Sequence, residues 1–191
     1  KKKKNEKHHI LSLYNYFCDS GYLAQRLRLP YLSAYLDSVG SNFTHGANFT
    51  TAGSTIRPKN TSLHQGGFSP TSLNVRLHQY NDFQHGSQIF RVFEGLLPMG
   101  EDFSRVLYMF DIGQNDPSAC YFLNMTMNQV RAYVLDVLDQ FKIIIKDVYA
   151  HRGRSYWIHN MVPMGCLQYA LNRLIRVDQV DKCGRATPFN E

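Results

Sequence analysis

The stretch from Val106 to Ile158 constrains the fold more tightly than any other part of the 191-residue chain. Val106-Leu-Tyr-Met-Phe110 is a continuous apolar run of strand length, the pattern of a strand buried on both faces of a parallel sheet. A turn-rich loop follows, Asp111-Ile-Gly-Gln-Asn-Asp-Pro117. Thr126-Met-Asn-Gln129 has the form of a capping box, in which a hydroxyl and an amide cover the free N–H groups of a helix start. Val130, Val134, Val137, Leu138, Phe141, Ile144, Ile145 and Val148 then recur at steps of three and four. That spacing predicts one apolar helix face over roughly five turns. Gly153 stops the helix, and Tyr156-Trp-Ile158 reads as the next strand. Strand, helix and strand in this order form a βαβ unit, so the chain is predicted to build a parallel α/β sheet.

Elsewhere the periodicity is weaker. A short helix is expected around Tyr22 to Arg28, ended by Pro30, then an apolar piece from Leu32 to Leu36. Residues 40 to 65 are rich in Ser, Thr, Asn and Gly, which is loop composition, with Ala47 to Thr51 as a short strand. Two helices are expected next, Ser72 to Phe83 and Ser87 to Leu97, the second closed by Pro98. The organisation expected is a basic tail and aromatic segment over 1–17 and one domain over 18–191.

Charge and cysteine content narrow the functional classes. The net charge is +6, but Lys1 to Lys4 and Lys7 less Glu6 account for +4 of it, leaving +2 for the rest of the chain. With no basic helix face and no nucleic-acid motif, nucleic acid is not expected as a partner. No apolar run approaches the ~20 residues of a membrane-spanning helix. The segment Ile10-Leu-Ser-Leu13 gives way to Tyr14-Asn-Tyr16, which is too short an apolar region for a signal peptide. Cys18, Cys120, Cys166 and Cys183 show no zinc-finger spacing, and His64, His78 and His85 lack metal-ligand spacing, so no metal is expected. Cys120 reads as a small buried residue. Four N-x-S/T sequons, at Asn42, Asn48, Asn60 and Asn124, point to a secreted glycoprotein.

In open α/β sheets, sites form beyond the carboxyl ends of strands. Here that directs attention to the loop holding Gly113, Asn115 and Asp116. A carboxamide after a buried strand can present an NH2 group to a developing oxyanion. On the residues alone, a plain turn at Asn115-Asp-Pro117 remains the alternative.

Phe110-Asp-Ile-Gly-Gln-Asn-Asp116 resembles the G-x-N-D block of the GDSL esterase/lipases of the SGNH hydrolase superfamily. Leu29-Pro-Tyr-Leu-Ser-Ala-Tyr-Leu36 and Gly46-Ala-Asn-Phe-Thr-Thr-Ala-Gly-Ser-Thr-Ile56 resemble the plant branch of that family. So do Glu101-Asp-Phe-Ser-Arg105, Trp157-Ile-His-Asn160, Pro163-Met-Gly-Cys-Leu167 and Ala186-Thr-Pro-Phe-Asn-Glu191. The blocks run in the family's order from residue 29 to the end. The resemblance implies a flavodoxin-like three-layer α/β/α fold, incomplete in this chain, around a parallel central sheet. It implies hydrolysis of a carboxylic ester of a lipid, an acetylated sugar or a plant metabolite, without a cofactor, by a protein secreted to the cell exterior. A Ser attacks the carbonyl, a His activated by an Asp serves as base, and Gly53 and Asn115 map to oxyanion donors. Gly113, Asp116 and His159 map to residues lining the substrate.

The departures matter as much. The family's Gly-Asp-Ser nucleophile block is not recognisable. Ser20, in Phe17-Cys-Asp-Ser-Gly21, is either a degenerate nucleophile or part of a later Phe-Cys-Asp block. No histidine lies in the family's Asp-x-x-His arrangement. The family's Gly-Pro-x-Gly-Cys block reads Val162-Pro-Met-Gly-Cys166; the resemblance implies a disulfide partner at the position held here by Arg185, and Cys183, two places earlier, is the candidate in its stead. The chain is therefore read as about half of a family domain, truncated at both ends, with Ile10 to Phe17 as a substitute for the central first strand. Two alternatives to an ester hydrolase follow: a non-catalytic, carbohydrate-binding remnant, and a glycosidase acting on fucosylated glycans.

Overall fold

The computed structural model describes residues 9–12, 24–26, 28, 30–37, 40–58, 69–90, 95–123 and 125–161. Among the described residues, five parallel strands form one sheet: β1 (His9–Ser12), β2 (Ser33–Ala34), β3 (Ala47–Asn48), β4 (Val106–Phe110) and β5 (Ser155–Ile158). Their spatial order is β2-β3-β1-β4-β5. β1 pairs with β4 from His9 opposite Val106 to Ser12 opposite Met109, and with β3 through Ser12 opposite Asn48. Part of the segment expected as a tail thus lies at the centre of the sheet, where a substitute first strand was expected to run. Residues 24–26 are helical, within the short helix expected there. Three longer α-helices are described: α1 (Leu73–Ile89), α2 (Asn115–Phe122) and α3 (Met127–Ala150).

The βαβ unit forms as the pattern predicts. β4 and β5 pair in parallel from Leu107 opposite Ser155 to Phe110 opposite Ile158. Between them, Thr126 caps α3: its hydroxyl accepts from the Gln129 N–H at 3.4 Å, and its own N–H donates to Gln129 Oε1 at 2.8 Å. Tyr108 and Phe110 face the core on one side of β4, while Met109 on the other side is also fully buried. Both faces of that strand are covered, which is why it reads as an unbroken apolar run. The stripe on α3 is narrower than its spacing implies. Val137, Ile144 and Val148 are buried, whereas Leu138 is 55% exposed.

The region 72–97 differs from expectation. A single helix runs through Gly86, so the break between Phe83 and Ser87 does not occur, and residues 95–97 form a turn. Polar residues at the expected break have partners inside the fold. Gln84 Nε2 donates to the His151 C=O at 2.7 Å, and the Ser87 hydroxyl donates to the Phe83 C=O at 2.7 Å. Satisfied in this way, buried polar groups no longer oppose the helix. β3 is also shorter than expected, ending at Asn48 rather than Thr51.

Aromatic rings fill the space between α1, β4 and the loops. Phe83 meets Phe43, Phe49 and Phe103 edge-on at centroid distances of 5.4, 5.8 and 6.1 Å. The hydroxyls of Tyr80 and Tyr108 lie 3.0 Å apart, and Tyr108 donates to the Phe103 C=O at 2.9 Å. Burial pushes both phenols up, Tyr108 to about 12, so both stay neutral hydrogen-bonding groups.

α3 ends on an unusual residue. Arg152 has φ +76°, a left-handed conformation in which a side chain is crowded. At the position after a helix C-cap this conformation favours glycine. Arg152→Gly is expected to stabilise the protein by about 0.5–1 kcal/mol, read as a higher midpoint in urea or thermal unfolding. A lower midpoint would mean that the Arg152 side chain contributes more than its backbone strain costs.

Candidate active site

The loops after β3 and β4 leave the carboxyl edge of the sheet on either side of β1, because β1 lies between those two strands. Connections that leave a sheet in opposite directions open a crevice at that point. The loop after β3 turns through Gly53, whose φ of +77° suits a residue without a Cβ. Ser54 closes this turn, its hydroxyl donating to the Thr51 C=O at 2.8 Å. Gly53 C=O accepts from the Ser69 N–H at 2.9 Å.

Asn115 begins α2 and reaches across to the same turn. Its Nδ2 donates to the Ser54 C=O at 2.8 Å, over sixty-one positions of sequence. One carboxamide N–H is thereby fixed, and the second, like the Gly53 N–H, donates to no described residue. Gly53 and Asn115, proposed from sequence as a pair, lie at one turn.

Asp116 is fully buried. It is among the residues lining the cleft described below, but its carboxylate is engaged with the backbone: Oδ2 accepts from the Ile56 N–H at 2.9 Å and Oδ1 from the Arg57 N–H at 3.1 Å. The carboxylate therefore holds the 54–57 segment against the start of α2. Arg57 extends the clamp to α3 with a two-pronged ion pair on Asp136, at 2.5 and 2.6 Å. Both side chains of that pair are substantially exposed, so the pair contributes little, on the order of 1 kcal/mol or less.

A second feature beneath the turn was not anticipated from sequence. Arg76, on α1, is fully buried. Its Nη2 donates to the Thr51 C=O at 2.7 Å and to the Ser54 hydroxyl. Burial lowers its guanidinium to about 10, which still leaves it protonated at neutral pH. A cation thus supports the turn that carries Gly53. The available signal was positional: Leu73, Arg76, Tyr80, Phe83 and Ser87 recur on the buried face of one helix, and a charged residue in such a stripe needs a partner.

A cleft of about 250 Å³ opens between residues 112–113, the start of α2 at Asp116 and Pro117, α3 and the end of β5; Asn115 and Gly53 are not among its lining residues. Its walls are mainly apolar, with Ile56, Ile112, Val137, Leu138 and Phe141, and Gly113, His159 and Met161 at its edge. Gly113 has φ +116°, a backbone conformation that favours glycine, whereas the Met161 Sδ that a Cβ would meet at 3.3 Å could yield by a few tenths of an ångström. His159 is fixed through its backbone N–H, which donates to the Phe110 C=O at 2.8 Å, and its ring stacks on Trp157 at 5.3 Å. Tyr133 also lines the cleft, and burial together with Asp116 raises its phenol, which keeps it neutral. Ser20, Cys166 and Cys183 lie outside the described residues. Among the described residues no group of three or more His, Cys, Asp or Glu could hold a metal ion, and no helix is long and apolar enough to cross a membrane.

Cys120, on α2, is 2% exposed, and burial and the Asp116 carboxylate push its thiol up to about 11. The nucleophile is the thiolate, so alkylation by iodoacetamide at pH 8 is expected to be about 100-fold slower at Cys120 than at a free thiol. Site-resolved mass spectrometry of the native protein checks this. Rapid labelling at Cys120 would contradict its burial.

Residues 17–184 match the family model of GDSL-like lipase/acylhydrolases. The chain is 53% identical over 175 residues to a GDSL esterase/lipase of Arabidopsis thaliana, a match covering 89% of this chain and 46% of that protein. It is 48% identical over 183 residues to alpha-L-fucosidase 3 of Arabidopsis thaliana, covering 91% of this chain and 49% of that protein. A GDSL esterase/lipase of Zea mays is 48% identical over 164 residues, covering 81% and 41%. The chain thus spans somewhat under half the length of these relatives. No solved structure matches it.

Proposed function

The chain belongs to the GDSL-like lipase/acylhydrolase family, and on that premise we propose that it contributes the oxyanion-binding side of an ester-hydrolysing site. When a nucleophile adds to an ester carbonyl, negative charge develops on the carbonyl oxygen. In this reading the Gly53 N–H and the second N–H of Asn115 Nδ2 donate to it; the hydrogen bond from Asn115 to Ser54, beside Gly53, supports that pairing. Neither group titrates, so both donate at any working pH. The Arg76 cation below the turn adds a favourable field, and fixed donors of this kind lower the barrier without reorganising during the reaction. The observation that carries this reading is the Asn115–Ser54 hydrogen bond, which brings the two donors together.

The apolar cleft takes the acyl or alcohol portion of a carboxylic ester, with Gly113 and His159 at its rim. Ser20 is the candidate nucleophile in this sequence, and the reaction needs no cofactor. Secretion to the cell exterior follows from the family and the sequons. The named fucosidase relative favours a second reading, in which the same donors serve cleavage of a fucosyl bond, and the Trp157–His159 stack offers a platform for a sugar ring.

The test is hydrolysis of p-nitrophenyl acetate by the purified chain against a heat-denatured control. Turnover above the control is expected, and turnover equal to it would overturn the reading. Loss of that turnover in Ser20→Ala would identify the nucleophile, whereas an unchanged rate would remove Ser20 from the mechanism. Release of L-fucose from a fucosylated oligosaccharide, with no ester turnover, would favour the second reading.

A further inference from the structure

Two of the four sequons fall in described segments, and they share a local geometry but not a location. In Asn42-Phe43-Thr44, Asn42 Oδ1 accepts from the Thr44 N–H at 2.9 Å and from the Thr44 hydroxyl at 2.6 Å. In Asn48-Phe49-Thr50, Asn48 Oδ1 accepts from the Thr50 N–H at 3.0 Å. Both are Asx turns. Asn48, however, is 4% exposed and is the last residue of β3, paired with β1 and β2. Asn42 is exposed, and its Nδ2 has no partner among the described residues.

We propose that Asn42 is an N-glycosylation site and that Asn48 is excluded from that role in the folded protein. The donor is an oligosaccharide linked to a lipid diphosphate. On the transferring enzyme, Asn42 Nδ2 forms a bond to the anomeric carbon and gives up one proton to a carboxylate base of that enzyme, while the bond from that carbon to the diphosphate oxygen breaks and the lipid diphosphate leaves as the anion. Two hydrogen bonds onto Oδ1 polarise the carboxamide and make its N–H proton easier to lose, and they leave Nδ2 without a partner among the described residues. The neighbouring residue keeps the acceptor at the surface. Phe43 is buried against Phe83, and its N–H donates to the Leu96 C=O at 2.8 Å. A glycan on Asn48, by contrast, would have to displace the structure that covers this buried strand residue.

The loop 40–46 precedes β3 and so lies at the amino edge of the sheet, opposite Gly53 and Asn115. A glycan on Asn42 would leave the carboxyl-edge cleft open while covering polar surface at the other end. The proposal rests on the secretory reading given above. Fusing the full chain to a leader that enforces entry into the endoplasmic reticulum separates the two, because site choice is then tested whatever the natural destination.

The experiment translates that fusion with microsomes and maps occupancy site by site, as the Asn-to-Asp change left by enzymatic deglycosylation. Asn42 is expected to be occupied and Asn48 empty in the protease-resistant fraction. Asn42→Gln and Thr44→Ala should each remove the same single glycan, and Thr44→Ser should restore it. The second variant guards against a folding defect in the first, since occupancy is read on total chain as well as on the resistant fraction. An empty Asn42 beside a filled control sequon fused at the C-terminus would overturn the proposal. Equal occupancy of Asn48 and Asn42 in the resistant fraction would overturn it as well. If the chain is never found outside the cytosol in its own tissue while Asn42 is filled in microsomes, the secretory reading fails and the site assignment stands.

Discussion

Asn115→Ala is expected to lower kcat for p-nitrophenyl acetate by about 10²–10³, with KM changed by about twofold or less. The carboxamide has two N–H groups, and one is fixed on the Ser54 C=O, so the other is presented in a constrained direction. A donor held this way meets the carbonyl oxygen better once that oxygen carries charge and has moved out of plane, so its loss falls on kcat. Asn115→Asp should lower kcat further, because it replaces a donor with a carboxylate facing the developing negative charge. A rise in KM at unchanged kcat would show that Asn115 holds substrate and transition state equally, which contradicts an oxyanion role. Since Asn115→Ala also releases the Ser54 C=O, its urea midpoint should be measured alongside, and a loss of about 1 kcal/mol is expected from that bond.

The larger effect on stability is expected at Asp116. Asp116→Ala removes a buried carboxylate that accepts from two backbone N–H groups, at Ile56 and Arg57, and leaves both donors without it. Hydrogen bonds to charged groups and the desolvation of stranded donors together predict a loss of about 3–5 kcal/mol. Against a typical stability of roughly 5–15 kcal/mol, that is enough to populate the unfolded state at modest urea concentrations. Asp116→Asn is the sharper comparison. It preserves shape but offers one acceptor oxygen and turns an NH2 group towards the other donor, so it should destabilise less than Ala yet clearly. If Asp116→Asn proved as stable as the parent, the carboxylate would not be what anchors the 54–57 segment.

What was legible in the sequence follows the scale over which each feature is encoded. The capping box at Thr126, the helix α3 and the apolar run of β4 are locally encoded, and all three formed, although the buried stripe of α3 is narrower than its period implies. The helix from Leu73 to Ile89 was expected as two, and it runs unbroken through residues 84–87, where buried Gln84 and Ser87 are satisfied by the His151 and Phe83 carbonyls. Leu138 obeys the helical period yet borders the cleft, so period alone could not separate core from site wall. Gly53 and Asn115 were proposed as a pair through the ordered resemblance to a family and not through spacing, since about sixty residues separate them, and the structure joins Asn115 to the turn of Gly53 through Ser54. Arg76 was missed because its role is set by what lies under a distant turn, which no local pattern encodes.

The placement of β1 also bears on how the protein is made. On a ribosome, His9–Ser12 emerges well before either of its neighbours in the sheet: Asn48 comes later, and Val106 to Met109 much later still. The central strand is therefore synthesised early and completed late, whereas β4, α3 and β5 are contiguous and can assemble as soon as they are exposed. Closure over such separations is slow relative to local structure. Until it occurs, β4 and β3 present open edges of the kind that other chains can join. Yield in expression is thus expected to depend on temperature and chaperone supply during this interval, more than on the stability of the finished sheet.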